Sequence, residues 1–264
     1  MSGRGERARR LIRWASAALL AAASPAASQA AGQAGGQEAC RLALALAMDV
    51  SSSVDAEEYA LQSRGLAAAL RDEAVRAAMF APGQGPVALA IYEWSGRDRA
   101  AMVAGWTLMR APADADALAA RVLAHPRSQT EFPTALGHAL GVGAVLLRRA
   151  PPCARRTLDI ASDGINNAGF GPSSAYKAFD FGGVTVNALV IGDDPQGLAE
   201  YYRAEVIRGP DAFVETARDH GDFARAMRRK LLRELAPPLL LGDAGAAAQS
   251  GTRIIRPRKR PANR

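Results

Sequence analysis

The chain has 264 residues, a formal net charge of +7, 49% hydrophobic and 6% aromatic residues, and two cysteines. That hydrophobic content excludes disorder throughout, and two cysteines exclude a disulfide-dense scaffold or a four-cysteine zinc site. The charge is unevenly placed: residues 1–30 hold five arginines against Glu6, and residues 251–264 hold six cations and no acid. The stretch between them is therefore about −3 and offers nucleic acid no basic face.

In chain order, Arg7, Arg9, Arg10 and Arg13 precede an apolar run over 14–23, and small residues follow to Ala31. That is the layout of a secretory signal, so residues 1–30 are expected to be a signal peptide, 31–39 a flexible leader, and the protein exported, periplasmic or secreted. Pro25 interrupts the run, which is too short for a bilayer core of roughly 30 Å. No later stretch has 18 consecutive apolar residues, so no membrane span is expected in the mature chain.

A continuous apolar strand is predicted over 42–48, stopping at Asp49, and a helix over 54–71, with Asp55 and Glu58 spaced as a capping box. Strands are predicted over 87–94 and 101–108 with a turn at 95–98 between them, then helices over 114–123 and 134–148. A short strand over 158–162, a helix over 173–181 and a strand over 184–191 follow. A helix over 196–206, a strand over 212–216 and an amphipathic helix over 219–235 complete the body, and Pro237-Pro238 ends it. Residues 237–264 read as a disordered basic tail. Strands apolar on both faces and separated by helices imply one α/β domain over 40–236, a doubly wound, mostly parallel six-stranded sheet with helices on both faces. In such sheets, function lies beyond the carboxyl ends of the strands.

Those ends hold a set of oxygen donors: Asp49-Val50-Ser51-Ser52-Ser53 after the first strand, Asp163-Gly164 after the 158–162 strand, and Thr134 opening a helix between them. Ser51 and Ser53, at alternating positions, turn two hydroxyls to one point from an extended loop, and the two carboxylates supply charge. Hard cations such as Mg²⁺ take such ligands. Read singly, Ser51 and Ser53 fit helix caps and Asp163-Gly164 an ordinary turn. His125, His138 and His220 lack the spacing of a histidine metal site.

Together, Asp49-Val50-Ser51-Ser52-Ser53, Thr134 and Asp163-Gly164 resemble the metal-ion-dependent adhesion site of von Willebrand factor type A domains. The stretches 59–62, 94–96, 163–167, 201–203 and 209–214 resemble, more narrowly, a bacterial family of exported proteins carrying this domain. The resemblance spans about residues 40–236. It implies a metal site of Asp49, Ser51, Ser53, Thr134 and Asp163 that binds Mg²⁺ or Mn²⁺ while a carboxylate of a protein partner completes the coordination. Ala161-Ser162 departs from the family's Ser-Gly. Glu131-Phe132-Pro133 replaces small residues before Thr134, which makes Thr130 a rival ligand; Thr134 is preferred because the helix begins there. Cys40 and Cys153 stand nine and ten residues before Asp49 and Asp163 on strands that the resemblance makes parallel neighbours, so a disulfide is expected.

The reading that follows is an exported, non-catalytic, metal-dependent binding module. Its alternatives are an accessory protein with an unused metal site and a metal-dependent phosphatase-like hydrolase with Asp49 as nucleophile. Such hydrolases place a second Asp two residues on, where this chain has Ser51, and the chain has no GxSxG elbow, P-loop or GxGxxG motif.

Overall fold

The run Leu-Ala-Leu-Ala-Leu-Ala-Met-Asp forms β1 (Leu42–Asp49), and every one of its residues is buried. Its alternation is one of size rather than polarity. Leu42, Leu44, Leu46 and Met48 face one core, and Ala43, Ala45 and Ala47 face the other. A strand covered on both faces has no polar side to present, which is why the sequence shows no period of two in hydropathy.

The computed structural model describes residues 39–192 and 197–236. The predicted signal over 1–30, the leader apart from residue 39, and the tail over 237–264 lie outside the described residues. After β1 come α1 (Ala56–Arg71), α2 (Glu73–Met79), β2 (Val87–Trp94), β3 (Ala100–Met109), α3 (Pro112–Ala124) and α4 (Leu136–Arg148). Then follow β4 (Arg155–Ser162), α5 (Pro172–Ala178), β5 (Val184–Ile191), α6 (Leu198–Tyr201), β6 (Val214–Ala217) and α7 (Phe223–Leu235). The sheet order is β3-β2-β1-β4-β5-β6. All neighbours are parallel except the β2–β3 hairpin. This is the six-stranded, doubly wound α/β sheet expected.

One core lies between the Leu face of β1 and the helices α1, α2, α3 and α7, with Leu66, Leu70, Leu118, Phe223 and Leu231 at its centre. The other lies beneath α4, α5 and α6, where small alanines of β1 leave room for Tyr92, Trp94 and Tyr202. The Asp55 side chain accepts from the N–H groups of Glu57 and Glu58, both at 2.8 Å, and Glu58 accepts from Asp55 N at 2.8 Å. The predicted capping box is therefore closed, and Ser51 and Ser53 are left free of capping duty.

Several boundaries shift: α4 begins at Leu136 rather than at Thr134, which stands in the loop before it, β4 begins at Arg155 rather than 158, and α5 ends at Ala178 rather than 181. Three departures are larger. Helix α2 was not foreseen: Asp72 ends α1 and at the same time caps α2, accepting from Ala74 N and Val75 N. The helix expected over 196–206 is a short α segment that widens into a π-helical turn at Tyr202–Val206. Helix α7 starts at Phe223 rather than 219, because the Asp219 side chain holds Asp222 N in a turn at 2.8 Å.

β1 and β4 pair so that Leu42 lies beside Arg155. Two residues earlier on each strand, Cys40 and Cys153 form a disulfide with a Cα–Cα separation of 4.4 Å. No helix among the described residues is long and apolar enough to cross a membrane.

Candidate metal centre

The β1–β4 register also fixes what happens at the opposite end. Met48 lies beside Ala161, so the next step brings Asp49 against Ser162. Asp49 is fully buried. Its Oδ2 accepts from Ser162 Oγ at 2.5 Å, and its Oδ1 accepts from Ser51 N at 2.8 Å. From there a line of oxygens runs outward. Thr134 Oγ1 donates to Ser51 Oγ at 3.2 Å, Ser51 Oγ lies 3.1 Å from Ser53 Oγ, and Ser53 Oγ donates to Asp163 Oδ1 at 2.8 Å. All five predicted residues are thus in one cluster. Asp49, Ser51 and Thr134 form its buried floor, whereas Ser53 is exposed and Asp163 half-buried. Thr130 is exposed and takes no part.

Several further residues hold the cluster in place. Arg127 Nη2 donates to Val50 O and Ser51 O at 3.1 and 3.0 Å, which fixes the 50–54 loop from above. The Arg127 loop is itself held by buried Glu93, whose carboxylate accepts from Ser128 N at 2.9 Å and from Tyr59 Oη at 2.7 Å. Ser52 N donates to Phe132 O at 2.8 Å. On the other side, Asn167 Oδ1 accepts from Thr134 N at 2.8 Å, and Tyr202 Oη donates to Gly164 O at 2.9 Å. Tyr202 and Trp94 are buried packing residues. Of the missed residues, Glu93 alone left a sequence signal, as the one acid in an otherwise uncharged strand; Ser162 and Arg127 become visible only through register and loop path.

Burial pushes the Asp49 carboxyl up to about 7; the Ser162 hydrogen bond opposes that, the nearby Asp163 charge adds to it, and the Ser51 bonds oppose it again. Among the described residues neither Asp49 nor Asp163 has an ion-pair partner. The cluster therefore gathers two acids over a buried floor with no cation paired directly to either carboxyl group. Two carboxylates and three hydroxyls, all oxygen, suit a hard divalent cation. Gly164 keeps the place open, since a Cβ there would stand 3.3 Å from Thr134 Oγ1. Among the described residues no group of three or more His, Cys, Asp or Glu could hold a metal, so any cation at this cluster would rely on hydroxyls.

The family described as protein of unknown function (DUF1194) matches residues 39–239. The chain belongs to this family. Its fold is that of von Willebrand factor type A domains. Proximal thread matrix protein 1 from the mussel byssus is similar at 18% identity, over 75% of this chain and 47% of that one, with a TM-score of 0.54. A von Willebrand factor type A protein from Catenulispora acidiphila is similar at 17% identity over 74% and 43%, TM-score 0.52. The PilB minor pilin from Streptococcus sanguinis is similar at 10% identity over 76% and 63%, TM-score 0.53. The chain thus spans about half the length of the thread matrix protein, and at these identities the likeness is one of fold. One structure of the thread matrix protein is described as having a zinc-occupied adhesion-site motif. No curated protein matches the chain.

Proposed function

We propose that the chain is an exported binding module that takes Mg²⁺ or Mn²⁺ at Asp49, Ser51, Ser53, Thr134 and Asp163 and through it recognises an acidic group of a protein partner. One observation carries the reading: five side chains from three separate loops meet in a single hydrogen-bonded oxygen cluster whose floor is buried and whose rim is open. The zinc-occupied motif of the thread matrix protein supports the use of this place in the fold for a divalent cation. The adhesion and pilus proteins among the neighbours support a non-catalytic role. The disulfide supports an oxidising, periplasmic or extracellular setting.

A bound cation would supply the positive charge that draws a carboxylate. The chain's own residues do the rest. Asp49, oriented by Ser162 and Ser51 N, furnishes the deep charge, and neutral hydroxyls furnish ligands that leave the cation electrophilic. Ser53 and Asp163 sit at the rim, where a partner approaches.

Calorimetry with Mg²⁺ and with Mn²⁺ on the wild type and on Asp49→Ala tests the site. Binding is expected for the wild type and its loss in the variant; no heat from either metal with the wild type defeats the reading. Capture of a partner from envelope extract is expected to fail in chelator and to return with Mg²⁺; capture indifferent to chelator defeats the metal-mediated mode.

A further inference from the structure

A second polar cluster lies apart from the metal centre, sealed between the sheet and α7. Lys230 Nζ is 2.7 Å from Asp159 Oδ1 and 3.0 Å from Glu234 Oε1, and the three side chains are 0%, 0% and 3% exposed. Asn187 Nδ2 fixes Glu234 Oε1 at 2.7 Å, and Asn187 Oδ1 accepts from Phe213 N at 3.0 Å. The Phe213 ring covers the amine with its centroid 4.5 Å away. Asp159 projects to the same side of β4 as Ala161, into the Leu core, where an apolar residue would be the ordinary choice.

Two features set this apart from an ordinary buried ion pair. Two acids share one amine, so a fully ionised cluster would carry a net negative charge in a dry core, a costly state. And although the amine is 2.7 Å from Asp159, neither Asp159 oxygen takes part in a hydrogen bond of regular geometry. The amine is therefore pressed against the carboxyl group by charge and packing rather than seated in a regular hydrogen bond. Groups that react in a folded site are held in contact, and here the amine is held 2.7 Å from one oxygen of the carboxyl group it would attack.

We propose that Lys230 and Asp159 condense into an intramolecular isopeptide bond, with Glu234 as the proton acceptor. The protonated Asp159 acid, the Lys230 ammonium and the Glu234 carboxylate are the reactants. Glu234 takes one proton from Nζ, and the freed amine forms the N–C bond to Asp159 Cγ. The Asp159 hydroxyl leaves with a second Nζ proton as water. An amide, a water and a protonated Glu234 result, and no oxidant, cofactor or leaving group from outside is needed.

Burial pushes the Asp159 carboxyl up, towards the acid form that the condensation consumes. Burial also lowers the Lys230 amine, but the negative charge shared between Asp159 and Glu234 outweighs that and leaves it raised; in the form with its proton on Asp159, Glu234 is the carboxylate left to take a proton from the amine. The same exclusion of water protects the amide from hydrolysis. The bond would tie α7 to β4 covalently.

The mature full-length protein, with its disulfide reduced, is weighed intact and mapped with trypsin. The expected mass is lower than the sequence mass by one water, about 18 Da. Trypsin is expected not to cut after Lys230, and a branched peptide should join that segment to the one holding Asp159. A loss confined to Asp163-Gly164 is a succinimide and overturns the proposal, as does the full sequence mass with cleavage after Lys230. Glu234→Gln, with native circular dichroism verified, is expected to give the unlinked mass; a linked Glu234→Gln protein overturns the role given to Glu234.

Discussion

At the scale of single residues, the metal centre depends on a serine that binds no metal in the reading above. Ser162 gives its proton to a carboxylate with no exposure to solvent. Ser162→Ala therefore leaves a buried acceptor unmet, at a cost of about 1–3 kcal/mol. Urea unfolding of the metal-free protein is expected to show that loss. Asp222, at the start of α7, is a second case. Its hydrogen bonds with Arg225, the Arg218 N–H and the charge of both arginines hold its carboxyl well below the usual range, against a smaller effect of burial. A carboxyl depressed in the fold stabilises it above the unfolded value, near pH 4, and loses that contribution as pH falls towards the folded value. The stability gap between wild type and Asp222→Asn is thus expected to be full at about pH 6 and to shrink by about pH 3.

At the scale of elements, the strands were the legible part. β2 and β5 occupy the predicted residues because an apolar run bounded by turn residues has few other uses. Helix ends were less legible, since they depend on which of several polar residues captures the free N–H groups. Asp72 serves two helices, and Asp219 delays α7 by making a turn of its own. The site divided along similar lines. Asp49, Ser51 and Ser53 lie within five residues of one another, and their spacing alone placed them; Ser162 and Arg127 contribute through register and loop contacts that spacing does not encode. Helix α4 carries another such contact. A Cβ at Gly137 would lie 2.0 Å from Phe170 O, in the segment whose Asn167 holds Thr134. Gly137→Ala must push that segment away despite the better helix propensity of alanine, worth about 1 kcal/mol. Lower metal affinity is expected in calorimetry, with the fold kept by circular dichroism.

At the scale of the whole molecule, the Cys40–Cys153 bridge closes a loop of 113 residues. Closing so long a loop restricts the unfolded chain, and a native disulfide of this kind contributes about 2–4 kcal/mol. The Cys40→Ser/Cys153→Ser double variant is expected to unfold at lower urea concentration by that amount. Reductant should lower the wild type to the same midpoint and leave the variant unchanged.

The bridge and the metal centre lie at opposite ends of the same strand pair, and one alignment of β1 with β4 serves both. A slip of one residue would turn every side chain of the strand to the wrong face. It would also part the cysteines at one end and take Ser162 from Asp49 at the other. The sulfur–sulfur bond therefore acts as a proofreading latch: it closes on the alignment that assembles the oxygen cluster. In protein refolded under oxidising conditions, thiols that stay free at the far end of the strands are then expected to accompany loss of metal binding at the oxygen cluster.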